Sequence, residues 1–299
     1  MRKITLFFTA LLVVSFLHGA GHARPVRMNV IDSDAESCDV VFIGKIKKIT
    51  PTGIDKSGPE ILDLFEVKTK VLIPVKGGLK KDDPFSFDHW DVNAATPPMI
   101  NGLSSFPLEK DKIYLFFLEK TDDGKYRLAA PESYGVEFPA KLIPALAKAP
   151  KGKSPAAHVI NILVRLVEKL KGDCHAPVWL LSTSKMFKDR LKMKKVRENF
   201  VKTLVKLTKT AKDENTMLTV YSFLGELNET SVIPDIVNFI VIDQETKIIK
   251  QNAVNWLQLF PDADQVTALE QIIDQSKDSC VVQYAKKRLK ACKQRMKLE

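Results

Sequence analysis

The hydrophobic positions change period near the middle of the chain. From residue 39 to about residue 140 they come in short runs and alternations, which is the habit of strands. Val40, Val41, Phe42, Ile43 and Ile46 form a β-branched run around Gly44, where a strand bulges or bends, and Pro51, Gly53 and Gly58 read as its end. Leu62, Leu64, Phe65, Val67 and Val71 make a second strand, closed by Lys76, Gly77 and Gly78. Phe85 and Phe87 alternate with Ser86 and Asp88 as a half-buried strand does. Residues 113–118 are wholly apolar and predict a central strand, and Asp122, Asp123 and Gly124 turn the chain into Tyr126, Arg127 and Leu128. Five or six short strands with glycine bends predict a small antiparallel barrel over 24–140.

Four prolines and Gly152 between Pro139 and Pro155 predict a linker at 141–154. Beyond it the apolar spacing becomes three and four. Ile162, Leu166 and Leu170 lie on one side of a helix over 159–170, and Phe187, Leu191, Phe200, Leu204 and Leu207 on one side of a longer helical region over 185–210. The stretch 231–289 then reads as two copies of one unit. Ile233, Ile236 and Ile240 return thirty-three residues later as Val266, Leu269 and Ile273, and Ala253 and Leu257 return thirty-two later as Ala285 and Leu289. Val220 and Leu224, thirty-three residues before Ala253 and Leu257, extend the period into a third, partial copy. A period of this size predicts stacked helix pairs over 155–299, because one pair cannot bury its apolar face alone. The fold class expected is thus α+β multidomain, a small β barrel followed by an all-α helical-repeat solenoid.

Two family resemblances sharpen these expectations. The series Cys38 to Ile46, then Phe65-Glu66-Val67 leading to Val75-Lys76-Gly77, then Asp111 to Phe117, resembles the netrin-like family, which includes the tissue inhibitors of metalloproteinases. The resemblance covers about a third of the chain and implies an OB-type barrel. Inhibitors of that family use an N-terminal cysteine whose free amine reaches a protease zinc. Here Cys38 lies well inside the chain, which argues against that activity. The helical half resembles HEAT repeats, through a first apolar helix with Pro234 near its start and a second helix bearing Ala253 and Leu257.

Composition adds a compartment. Arg2 and Lys3 precede an apolar run over 4–17, and Gly21 and Ala23 supply small residues before Arg24. That order predicts a signal peptide at 1–23, cleaved after Ala23, and a secreted or periplasmic protein with no transmembrane span thereafter. Charge is unevenly placed. Residues 24–150 hold 18 Lys and Arg against 19 Asp and Glu; residues 151–212 hold 16 against 4; residues 213–299 hold 10 against 13. The net charge of +10 therefore belongs to one segment, where Lys185, Lys188, Arg190, Lys192, Lys194, Lys195, Arg197, Lys202, Lys206 and Lys209 crowd with few acids. Such a stripe attracts an acidic polymer, an anionic surface or an acidic protein. Phe187 and Phe200 fit the apolar face, so the stacking platforms of single-strand nucleic-acid binding are missing and nucleic acid is disfavoured as a partner.

Candidates for chemistry are sparse. Asp88-His89-Trp90-Asp91 offers one nitrogen and two carboxylates, but no second histidine is near in sequence. Cys174-His175 lacks the spacing of a haem motif. No Gly-x-Ser-x-Gly, phosphate loop or His-Glu-x-x-His occurs. No cofactor is implied. Cys38, Cys174, Cys280 and Cys292 predict either free thiols or bridges across the architecture. Cys280 and Cys292 cannot pair with each other along one helix, because twelve residues span about 18 Å and bridged Cα atoms lie about 4.4 to 6.8 Å apart. Asn228-Glu229-Thr230 is a glycosylation sequon. These features predict an exported, non-enzymatic protein-interaction scaffold with a polyanion-binding face. An inhibitor or modulator of an extracytoplasmic enzyme, acting through the barrel loops, and a hydrolase with an unrecognised site are the alternatives.

Overall fold

Five strands, β1 (Val40–Asp55), β2 (Leu62–Lys76), β3 (Pro84–Val92), β4 (Ile113–Lys120) and β5 (Tyr126–Leu128), close into a barrel in the order β1-β2-β3-β5-β4. The structure is a computed structural model that describes residues 30–57, 61–92, 108–129, 136–170, 174–211, 213–242 and 247–297. The signal segment expected at 1–23 lies outside the described residues. All strand neighbours are antiparallel except β3 and β5, which meet in parallel at Asp88 and Arg127. This connectivity is compatible with an OB-type barrel. Side-chain alternation sends Phe42, Phe87 and Phe116 inward, and their rings pack with centroids 5.2 Å (Phe42 to Phe116) and 5.1 Å (Phe87 to Phe116) apart. All six residues from Ile113 to Leu118 are buried, as a strand flanked on both sides requires.

β1 is longer than its sequence implies. It runs through Pro51 and Gly53, which the sequence marks as breakers, to Asp55. β4 pairs with β1 only over residues 40–45, so the proline does not interrupt a ladder between two full neighbours. Register shifts between Ile43 and Gly44 and between Pro51 and Gly53 absorb the irregularities. At Gly44 a Cβ would stand 2.5 Å from the Phe42 ring, which explains a glycine inside the strand.

A helix that the apolar pattern does not announce, α1 (Val30–Ser37), precedes the barrel and buries Ile31, Ala35 and the adjoining Cys38. The Asp39 carboxylate accepts the Lys120 N–H at 2.7 Å, joining the start of β1 to the end of β4. A 3-10 turn (Ala140–Leu142) and the short α2 (Ile143–Leu146) occupy the expected linker, with Leu146 buried. In α3 (Pro155–Lys169) the first turn is capped twice: Ser154 Oγ accepts the Ala157 N–H and Glu36 Oε1 accepts the Ala156 N–H. The chain divides within α3 into two compact units, residues up to Ile162 with Thr183–Lys185, and Leu163–Ser182 with Met186–Glu299.

The second unit continues through α4 (His175–Thr183), α5 (Lys185–Arg190), α6 (Lys194–Thr208), α7 (Glu214–Glu226), α8 (Ile233–Ile242), α9 (Lys247–Trp256), α10 (Asp262–Gln275) and α11 (Ser279–Met296). The last six pack as consecutive pairs, α6 with α7, α8 with α9, and α10 with α11. Helices also meet across pairs: α8 touches α10, and α9 touches both α7 and α11. The buried positions recur in register. Phe200, Leu204 and Leu207 on α6 correspond to Ile233, Val237 and Ile240 on α8, thirty-three residues on, and these to Gln265, Leu269 and Ile272 on α10, thirty-two further. The register expected for α10 is thereby corrected by one residue. Val266 and Ile273 are only half-buried, and a glutamine takes the core position instead. Among the second helices, Val220, Ala253 and Ala285 are each fully buried. Aromatic rings add to both kinds of contact, with Trp256 tilted against Tyr221 at 5.0 Å across neighbouring pairs and against Phe239 at 5.9 Å within the α8–α9 pair.

Candidate functional site

Nine of the ten basic residues singled out over 185–209 fall on α5, α6 and the turn between them, and Lys209 is the C-cap of α6. That turn divides the helical region expected there into two helices: Leu191 is buried, its N–H returning to the Phe187 carbonyl, and Met193 begins α6 with no side-chain cap. Phe187, Phe200 and Phe223 form an edge-on cluster with centroids 4.8 to 6.3 Å apart, which fixes both helices against α7 and turns their cations outward.

At least four of the ten are engaged within the described residues. Lys188 meets Glu226 at 2.8 Å, Lys192 meets Asp189 at 2.6 Å, and Lys194 lies 3.9 Å from Glu198. The Arg197 guanidinium donates to the Leu227 carbonyl. Asp189 and Glu198 lie within the basic stretch itself, whereas Glu226 and the Leu227 carbonyl come from the end of α7. Exposed pairs of this kind are worth about 0 to 1 kcal/mol each and orient side chains more than they stabilise the fold.

Lys195, Lys202, Lys206 and Lys209 are different. All four are exposed, and no ion pair among the described residues engages them. At 100° per residue, their spacing of seven, four and three places them within an arc of about 60° along some 21 Å of helix. Lys206 and Lys209 also complement the negative end of the α6 dipole, a structural role that costs them none of their exposure. Lys185 is exposed at the start of α5, and Arg190 is half-buried at its end.

The other candidates are drawn into the fold. On β3, alternation sends His89 inward, 5% exposed and 6.4 Å from the Phe65 ring, while Asp88 faces out to Lys125 at 3.2 Å. Adjacent residues on a strand point to opposite faces, so Asp88 and His89 cannot converge on one ion. Among the described residues no group of three or more His, Cys, Asp or Glu side chains is placed to hold a metal. Cys174 is buried, its N–H held at 3.1 Å by Thr216 Oγ1, and a ring nitrogen of His175 lies 2.5 Å from Thr219 Oγ1. This pair thus ties α4 to the first turns of α7. Asp213 caps α7. Burial pushes its carboxyl up, but hydrogen bonds from Thr216 and Asn215 and the nearby His175 outweigh that and leave it below its ordinary value.

The described residues include all four cysteines, and no disulfide joins them. Burial, with Asp34 and Glu119 close by, pushes the Cys38 thiol up to about 12. Cys280 and Cys292 share α11, whose N-terminus is capped by Asp278. Asn228 is exposed in the turn after α7 with φ 52°, a left-handed conformation that asparagine tolerates.

One cationic surface escaped the sequence reading. A shallow depression of about 400 Å³ runs along α11, lined by Lys286, Leu289, Lys290, Lys293, Gln294 and Lys297. Its lining comes from one helix, so it has no second wall with which to enclose a small substrate. The spacing of these lysines was legible, but the net negative charge of residues 213–299 concealed it. Among the described residues no helix is long and apolar enough to cross a membrane. Comparison of the chain with protein-family models, curated proteins and solved structures finds no match to any of them.

Proposed function

We propose that this chain is an exported, non-enzymatic interaction scaffold, an OB-type barrel of netrin-like kind joined to a HEAT-like helical array, whose α6 face engages an acidic polymer or anionic surface. The observation that carries this reading is the alignment of Lys195, Lys202, Lys206 and Lys209 on one exposed side of α6, while neighbouring cations are taken up by acids and a carbonyl. Four like charges at one-turn and two-turn intervals repel one another and sum to a local positive field that a polyanion relieves. The repeated burial register of α6, α8 and α10 supports the array reading, since rigid stacked pairs hold such a face in place. The charge-and-apolar order of residues 1–23 supports export.

Binding of the intact protein to polyphosphate, and separately to anionic and neutral vesicles, tests this function. The expected result is binding that falls steeply with salt and is lost in K202E/K206E, with the polyphosphate and vesicle arms telling a soluble polymer from a membrane surface. Binding unchanged by K202E/K206E, or flat from low to high salt, overturns the reading.

A further inference from the structure

The depression on α11 sits where the helical array changes character. On α9, the helix that α11 covers, and in the 3-10 turn that follows it, Val254 and Leu257 are each 1% exposed. The corresponding residues on α11, thirty-two further on, are Lys286 and Leu289. The leucine is kept and half-exposed, while the valine has become an exposed lysine. Lys290, Lys293 and Lys297 continue the same side, and among the described residues only Lys293 of these meets a carboxylate, Glu270 at 2.7 Å.

The arginines of α11 are spent elsewhere. Arg288 donates to Asn255 and Tyr284, and Arg295 donates to Asp262 and Gln265, so both point back into the array. The outward side is therefore a lysine rim around one aliphatic side chain, with the lysine stems as walls. A purely polyanionic ligand makes no use of Leu289. A ligand that uses both features carries carboxylates at helical spacing and an apolar side chain among them.

We propose that this side of α11 is a docking surface for an acidic, leucine-bearing helical segment of a protein partner, whose glutamates or aspartates meet Lys286, Lys290 and Lys297 while its apolar residue covers Leu289. The surface is separate from the α6 face, and neither reading depends on the other. Helix-on-helix docking of this kind buries a small apolar anchor inside a charged rim, with the anchor supplying affinity and the rim orientation.

The probe is a fluorescein-labelled helical peptide of about 15 residues, with glutamates at i, i+4, i+7 and i+11 and a leucine between them. It is titrated into the intact protein by anisotropy, beside poly-glutamate and polyphosphate. K286E/K290E is expected to weaken the peptide about tenfold, as two exposed charge pairs turned repulsive should. L289A is expected to weaken the peptide several-fold and leave polyphosphate binding unchanged, while K202E/K206E leaves the peptide unchanged. Unaltered thermal melting of each variant shows that the fold is kept. No binding of the peptide, poly-glutamate binding as tightly as the peptide, an L289A variant that binds like the parent, or loss of the peptide in K202E/K206E each overturns the proposal. The last outcome would leave the α6 reading standing, and loss of polyphosphate binding in K202E/K206E alone would leave this one untouched.

Discussion

Gln265 donates its side-chain amide to the Phe260 carbonyl at 2.6 Å from a position that is 3% exposed, where the preceding pair has Ile233. The same amide reaches Asp262 at 2.9 Å, and its oxygen accepts from Arg295 at 3.2 Å. A polar residue is stable in that core slot because its donors and acceptor are met. Gln265→Leu keeps the volume but strips the Phe260 carbonyl of its donor. It should destabilise the helical unit by about 1 to 3 kcal/mol, read as a lower urea midpoint with unchanged slope.

Gly225 stands in α7 at the crossing with the turn Leu257–Leu259. A Cβ there would lie 2.5 Å from Leu259 Cβ and 2.8 Å from the Leu259 carbonyl oxygen. In an exposed helix Gly→Ala gains about 1 kcal/mol from propensity. Here the backbone oxygen cannot rotate away, and overpacking of this kind costs about 1 to 3 kcal/mol, so sterics prevail. Gly225→Ala should lower the melting temperature; a rise would show that the two segments part without cost.

Asp262 receives a hydrogen bond from Arg295 at 2.8 Å, which holds its carboxyl below the ordinary 3.8. A carboxyl depressed on folding contributes stability that is complete above its unfolded pKa and is lost as pH falls through the lower folded value. The melting-temperature gap between the parent protein and Asp262→Asn should be full above about pH 5 and shrink toward zero in acid. A gap independent of pH would assign the loss to packing instead.

The four cysteines should react in order of exposure. Cys280 is half-exposed near the start of α11, while Cys38, Cys174 and Cys292 are at most 1% exposed. A thiol reagent added to the native protein should label Cys280 first and reach the others only with denaturant. Peptide mapping without reduction should return no Cys280 to Cys292 bridge, because α11 would have to break to form one.

Asp213 and Asp278 each accept two backbone N–H groups at the starts of α7 and α11. Asp213→Ala and Asp278→Ala should each cost about 1 kcal/mol, measured by denaturation.

Periodicity made the two halves legible because each strand or helix announces its own buried face. The run Ile113 to Leu118, the turn at Gly124 and the apolar side through Phe200, Leu204 and Leu207 all lie where their spacing puts them. Two helices gave no such signal. α1 contains serines and aspartates that favour caps over helix interiors, and α4 is apolar nearly all round, so neither shows a stripe.

By itself, then, the sequence determined the change from strands to helices, the apolar sides of the later helices and the concentration of positive charge, since all of these are local in the chain. Tertiary structure decided matters between distant residues. It carried β1 past Pro51, put Gln265 rather than Val266 into the core, and brought Glu226 and the Leu227 carbonyl to Lys188 and Arg197. It also left Lys195, Lys202, Lys206 and Lys209 on one uncompensated face of α6. Pattern reports which side of an element is apolar. Whether a lysine is neutralised, or a glutamine satisfied, depends on what another element places within about 3 Å of it.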